Sequence, residues 1–244
     1  QNAPQISNTS ATWLADIQQH IAQQPDHSVE LVLLGGEPLM QYRNLRLLLK
    51  SASSKIKKLV ITTNLNPPTN RFLRWLLADA PGDKLQFMIS LDASPGWNHI
   101  PRAGFDADRF VGNLDLVRYR GVPFGVLSVV SVLSVFDLAD FLQWQDYNAC
   151  KITFNSVTNP DCLDAALLPR WIRQTIWDQL PPNGQAEPVL REVLLSTKTP
   201  VDIKLIEQYN YLTQYFQRTQ QDPTSFDNEL FQAWWTWLEQ NYRK

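Results

Sequence analysis

The sequence predicts an α/β fold of parallel strands joined by crossover helices, and three observations carry that prediction. Apolar runs recur at 29–34, 59–63, 85–91, 124–132 and 151–154, and the first four are rich in Val, Ile, Leu or Phe. Strands buried on both faces have this composition. Between the runs lie amphipathic stretches at 42–49, 69–77, 105–119 and 137–147, each long enough to cross back over a sheet. Most of the runs begin roughly 30 residues after the one before, the length of a βαβ unit, whereas a hairpin needs only a few connecting residues.

In chain order, Ser10-Ala11-Thr12 precedes a helix that places Trp13, Leu14, Ile17 and Ile21 on one face, and Pro25-Asp26 ends it. The five runs and their helices follow. A crossover helix normally comes after a strand, so the opening helix predicts a sixth strand upstream of residue 1. The only methionines are Met40 and Met88, so residue 1 is not a translation start. From Pro160 the rhythm becomes helical, at 169–179, 187–195, 201–219 and 226–242, with Pro181-Pro182-Asn183-Gly184, Pro200 and Pro223 as breaks. The expected organisation is a barrel portion over 1–160 and a helical extension over 161–244 packed on it.

Composition narrows the function. The 244 residues are 44% hydrophobic and 19% charged, as in a globular protein, and can bury a large core. A net charge of -2 supplies no broad field for nucleic acid or acidic lipid. No apolar stretch approaches the roughly 18 residues that span a bilayer. Cys150 and Cys162 permit at most one disulfide, which fits a reducing cytoplasm.

Parallel α/β sheets bind ligands at the carboxyl ends of their strands, so the residues closing each run are the candidates. The first run is followed by Gly35-Gly36-Glu37-Pro38. Paired glycines let the backbone approach a ligand, Glu37 is an anionic acceptor, and Pro38 sets the turn. Alone, the same residues also describe a tight turn with a capping Glu. The second run ends in Thr62-Thr63-Asn64, the third in Ser90-Leu91-Asp92 and the fifth at Asn155; Arg102 lies in the loop after the third. Hydroxyl, amide and carboxylate groups at one end of one sheet suit a polar small molecule.

In order and spacing, Leu33-Leu34-Gly35-Gly36-Glu37-Pro38-Leu39, Ile61-Thr62-Thr63-Asn64, Ile89-Ser90-Leu91-Asp92, Arg102-Ala103-Gly104-Phe105 and Asn113-Leu114 resemble the radical S-adenosylmethionine (radical SAM) superfamily, with twitch-domain-containing proteins the closest likeness. The resemblance covers about residues 9 to 180, with an echo at Thr224-Ser225-Phe226. It implies a partial parallel (βα)6-type barrel that binds SAM and, at a 4Fe-4S cluster, cleaves it to a radical that abstracts hydrogen from an unknown substrate, a peptide or protein among the candidates. It also implies that Glu37 and the backbone of Gly35-Gly36 hold the methionyl amino group, with Pro38, which fixes the turn, among the SAM-binding residues. Thr63, Asn64, Ser90 and Asp92 then lie near the ribose and methionine, and Arg102 near the SAM carboxylate or ribose.

One part of the family pattern is missing. The cluster takes three cysteines from a CxxxCxxC loop between the first strand and first helix. This sequence has Cys150 and Cys162 alone, so the cluster is expected only if an upstream loop supplies thiolates, and residues 1–244 by themselves are expected to form no radical. The rival is a cluster-less protein using the same barrel as a scaffold. His20, His27 and His99 lack metal-ligand spacing, and there is no Gly-rich phosphate loop or nucleophile elbow. Trp234-Trp235-Thr236-Trp237 with Phe231 and Leu238 predicts a helix that docks on the barrel, and it is also the candidate surface for a protein partner.

Overall fold

A computed structural model describes residues 13–79, 83–197 and 200–243. The chain forms two compact units, Gln1–Ser90 with Val111–Phe124, and Leu91–Phe110 with Gly125–Lys244. The N-terminal residues before 13 lie outside the described residues, and so does the Ser10 to Thr12 start predicted for the first helix.

The first unit runs α1 (Trp13–Ala22), β1 (Val29–Leu33), α2 (Tyr42–Ala52), β2 (Ile56–Thr63), α3 (Arg71–Asp79) and β3 (Leu85–Ser90), and receives α4 (Ala107–Tyr119) from Val111 onward. β1 pairs with β2 and β2 with β3, both parallel. Leu45, Leu48, Leu49 and Ala52 form one face of α2, and Phe72, Leu73, Leu76 and Leu77 one face of α3; all are buried, at the three-to-four residue spacing of an amphipathic helix. Leu59, Ile61, Phe87 and Ile89 complete this core. Arg120 ends the unit's helical layer by donating through Nε and Nη2 to the Leu77 carbonyl at 3.1 and 2.6 Å, near the C-terminus of α3.

These strands are not buried on both faces as their composition predicts. Leu85, Phe87 and Ile89 are inaccessible, but Gln86, Met88 and Ser90 between them are half-buried. On β1, Val32 is 52% exposed, and Leu34, just beyond it, 70%. The apolar runs therefore overstate burial: one face of β2 and β3 is buried, the other is half-buried, and β1 is more exposed than either.

The second unit contains β4 (Phe124–Val130), α5 (Leu138–Asn148) and β5 (Lys151–Ser156), followed by α6 (Arg170–Gln179), α7 (Pro182–Gln185), α8 (Pro188–Leu194), α9 (Asp202–Thr219) and α10 (Glu229–Tyr242). β4 and β5 are parallel, so every pair within either unit has the predicted direction. Ile152 and Phe154 are buried, whereas Lys151, Thr153 and Asn155 are exposed. Where Pro181-Pro182-Asn183-Gly184 predicts a break, Pro182 instead starts the one-turn α7. Gly184 is buried there, and a Cβ on it would lie 2.4 Å from Leu142 Cδ1. α10 begins at Glu229 rather than 226 because the Asn228 side chain accepts from Phe231 N at 2.9 Å and caps it.

The tryptophan-rich helix corrects the partner expectation. Phe231, Trp234, Trp235 and Leu238 are buried inside the second unit. Phe231 meets Phe136 at 5.2 Å between ring centroids, and Trp235 meets Phe216 at 5.4 Å and Tyr209 at 5.8 Å. Four of the apolar residues proposed for a partner are thus consumed by the core, Trp237 stays half-buried, and Gln232, Ala233 and Thr236 face solvent. Cys150 and Cys162 are buried free thiols, and burial raises the pKa of both. Among the described residues, no helix is long and apolar enough to cross a membrane.

Candidate functional site

In the first unit β1 gives way to Gly35-Gly36-Glu37-Pro38. Both glycines have positive φ, 84° and 55°, which a side chain would strain. Both are exposed, with nothing within 4 Å of where a Cβ would stand. Glu37 is extended and caps the short turn Pro38–Met40, accepting from Leu39 N at 3.0 Å. The same oxygen, Oε1, accepts from Thr63 Oγ1 at 2.6 Å, and Oε2 accepts from Asn64 N at 2.9 Å. One carboxylate therefore ties the end of β1 to the end of β2. Thr63 Oγ1 in turn accepts from Leu65 N at 2.9 Å, and Asn64 Oδ1 from Asn66 N at 2.8 Å, which folds the chain after β2. The structure thus joins Glu37, Thr63 and Asn64, predicted separately, into one network. Pro38 is buried beneath it, and Ser90 ends β3 half-buried.

The second unit holds another node. Arg102 donates to Asp92 through Nε at 2.8 Å and Nη2 at 3.2 Å, a bidentate pair. Val129 N adds a bond to Asp92 Oδ1 at 2.9 Å, and Asp92 N donates to Asn98 Oδ1 at 2.9 Å. The guanidinium that the sequence offers to an anionic ligand is therefore engaged by the carboxylate offered beside it. The loop between them is secured again by Trp97 Nε1 on Leu133 O at 2.9 Å.

Sequence reasoning missed Asp137. It precedes α5, where Asp usually caps, yet makes no cap bond. Its carboxylate accepts instead from Ser94 N at 2.6 Å and Ser94 Oγ at 3.0 Å. Burial pushes its pKa up to about 6, against the lowering effect of the Ser94 bonds. Nothing in sequence separates this role from a cap. Asn98 Nδ2 and Ser128 Oγ, also in this unit, are buried polar atoms with no partner. Among the described residues no cluster of His, Cys, Asp and Glu is arranged to hold a metal ion.

These features define a class: parallel α/β units whose polar side chains gather after the strand ends, where such folds take their ligands. No protein-family model and no curated protein matches the chain. Among solved structures, native anSMEcpe with bound AdoMet is similar at 14% identity and a TM-score of 0.46, over 84% of this chain and 50% of that one. Streptococcus suis SuiB is similar at 17% identity and a TM-score of 0.49, over 88% and 43%. SuiB bound to S-adenosylmethionine follows at 18% identity and a TM-score of 0.42, over 79% and 36%. The chain spans half or less of the length of the chains in these three structures.

Proposed function

We propose that this is a radical SAM-like protein whose first unit binds the amino-acid end of SAM, in the service of modifying a substrate, a peptide or protein among the candidates. The reading is carried by the Glu37 network: a fixed carboxylate beside two exposed glycine peptides in a turn that ends a parallel strand. An ammonium group needs several acceptors at once, and the group fits this turn. Oε2 of Glu37 carries a single hydrogen bond, and the glycine peptides have open space around them.

Each residue then has a role. Glu37 and the glycine backbone receive the amino group, and Pro38 sets the turn that presents them. The Thr63 hydroxyl is occupied by Glu37 and Leu65 N, so Thr63 positions the carboxylate, as does Asn64 through its backbone N–H. Ser90 supplies a hydroxyl toward the ribose and methionine. Asp92 and Arg102 saturate one another, and in this reading they shape the loop that carries them. The (βα)6 type of fold and the twitch-like extension belong to the same proposal.

SAM supplies a sulfonium whose carbon–sulfur bond is reductively cleaved at a 4Fe-4S cluster. That cluster does not fit the described residues. It needs three thiolates, and Cys150 and Cys162 are buried thiols whose raised pKa favours the protonated form. No step through the cluster is assigned to this chain, and anaerobic reconstitution of residues 1–244 should yield less than stoichiometric iron and sulfide.

Titration calorimetry with SAM and with 5′-methylthioadenosine, which lacks the amino-acid end, tests the reading. SAM should bind roughly tenfold tighter or better, since charge-assisted bonds to the amino group are lost in the analogue. Equal affinities would refute it.

A further inference from the structure

A cavity of about 450 Å³ opens in the second unit among α6, the segment after α8, and the facing sides of α9 and α10. Its charged lining is Arg170 and Arg173 from the first turns of α6 and Asp202 from the start of α9; Trp237 and Tyr242 of α10 supply aromatic surface. We propose that this cavity binds a small amphipathic monocarboxylate, with the carboxylate on the Arg170 and Arg173 side and the apolar body against Trp237.

Arg173 is the fixed part of the site. It is only 2% exposed, an unusual position for a cation. Nε donates to Leu168 O at 2.9 Å, and Nη1 to Leu194 O at 3.3 Å and Ser196 O at 2.5 Å. These carbonyls hold the guanidinium plane in place but leave its formal charge intact. Burial and the charge of Arg170 both lower the Arg173 pKa, while Asp164 opposes them. Two guanidiniums close enough to disfavour one another gain by admitting an anion between them. Arg170 is exposed and free to adjust to it.

The choice of a monocarboxylate follows from charge and size. Asp202 faces the same cavity, and its Oδ1 accepts from the Tyr242 hydroxyl at 3.1 Å. Among the described lining residues, two arginines against this one aspartate leave one positive charge in excess, matched by a single carboxylate. Small-molecule sites begin at roughly 300 Å³, so the cavity has room for a body beyond the anionic head. Leu195, Leu205 and Trp237 offer that body an apolar wall. Guanidinium forks bind carboxylates bidentately; because the Arg173 donors are turned to carbonyls, that contact falls to the exposed Arg170, while Arg173 adds its buried charge.

The probe is 3-phenylpropanoate, titrated into the full chain by calorimetry or ligand-observed NMR, with 3-phenylpropanamide and inorganic phosphate as comparisons. Millimolar or tighter binding of the acid is expected, with the amide roughly tenfold weaker or worse. Arg170→Gln, an exposed substitution that should fold, is expected to weaken the acid by about tenfold and leave the amide unchanged. Arg170→Lys should recover part of the loss. Equal binding of acid and amide, tighter binding of phosphate, no binding up to roughly 10 mM, or an unchanged affinity in a folded Arg170→Gln protein would each overturn the proposal.

Discussion

Glu37 in the first unit and Asp137 in the second accept the same kinds of donor, a hydroxyl and a backbone N–H, yet they sit in opposite circumstances. Glu37 takes Thr63 Oγ1 and Asn64 N, adds Leu39 N, and remains half-buried beside exposed glycines. Asp137 takes only Ser94, is 7% exposed, and its pKa rises to about 6. Hydrogen bonds alone therefore do not decide what a carboxylate costs; access to water and the number of donors do. A carboxylate that keeps water and open space around it can trade that water for a cationic ligand. One sealed inside its own loop is a structural anchor that is charged at some expense.

The largest expected effect breaks the Asp137 side of the comparison. Its folded pKa lies above its ordinary value, so the folded state holds the proton more tightly. Stability is then greatest below about pH 4 and falls as pH rises through 6, by about 3 kcal/mol from this group. Asp137→Asn keeps an acceptor for Ser94 N and removes the charge. Urea denaturation should show the variant more stable than the parent at pH 7.5 by up to about 3 kcal/mol, with the two converging near pH 4. A variant less stable at pH 7.5 would mean that the charged form is the favoured one.

The Asp92–Arg102 pair comes next. Its side chains are 11% and 32% exposed, so removing the guanidinium strands a largely buried carboxylate on Val129 N. Arg102→Met should cost about 2 kcal/mol, and adding Asp92→Asn should recover part of it. Additive losses would show that the pair is not coupled. Thr63→Val is the mildest test: it takes one hydrogen bond from Glu37 and the acceptor from Leu65 N, for about 1 kcal/mol. Its SAM affinity should fall only a few-fold, because the carboxylate itself is retained.

How far sequence reached can be read from the same residues. The alternating periods located all five strands, and the residues closing the first two runs, Gly35 to Pro38 and Thr63-Asn64, meet in one network. Those features are local, set by turn chemistry and apolar period. What escaped is non-local. Asp92 and Arg102 read as two ligand groups because nothing ten residues apart in a loop announces that they pair. Asp137 stands out only as the first residue of an amphipathic stretch, since its partner Ser94 is 43 residues away. The tryptophan-rich helix reads as one that docks on the barrel and also as a candidate partner surface, and the positions of Phe136, Tyr209 and Phe216 place Phe231 and Trp235 in the core. The exposure of Val32 and Leu34 at β1 escaped too, because apolar composition reports what a strand tolerates rather than what covers it.

If Glu37 receives the amino group of SAM, replacing its charge must weaken SAM binding, and equilibrium dialysis of labelled SAM against the parent chain and Glu37→Gln measures that loss. Gln keeps one acceptor for Thr63 or Asn64 but removes the charge that faces the ammonium. The folded variant, checked by circular dichroism, should bind SAM roughly tenfold more weakly and bind 5′-methylthioadenosine as the parent does. Unchanged SAM affinity in that folded variant would contradict it.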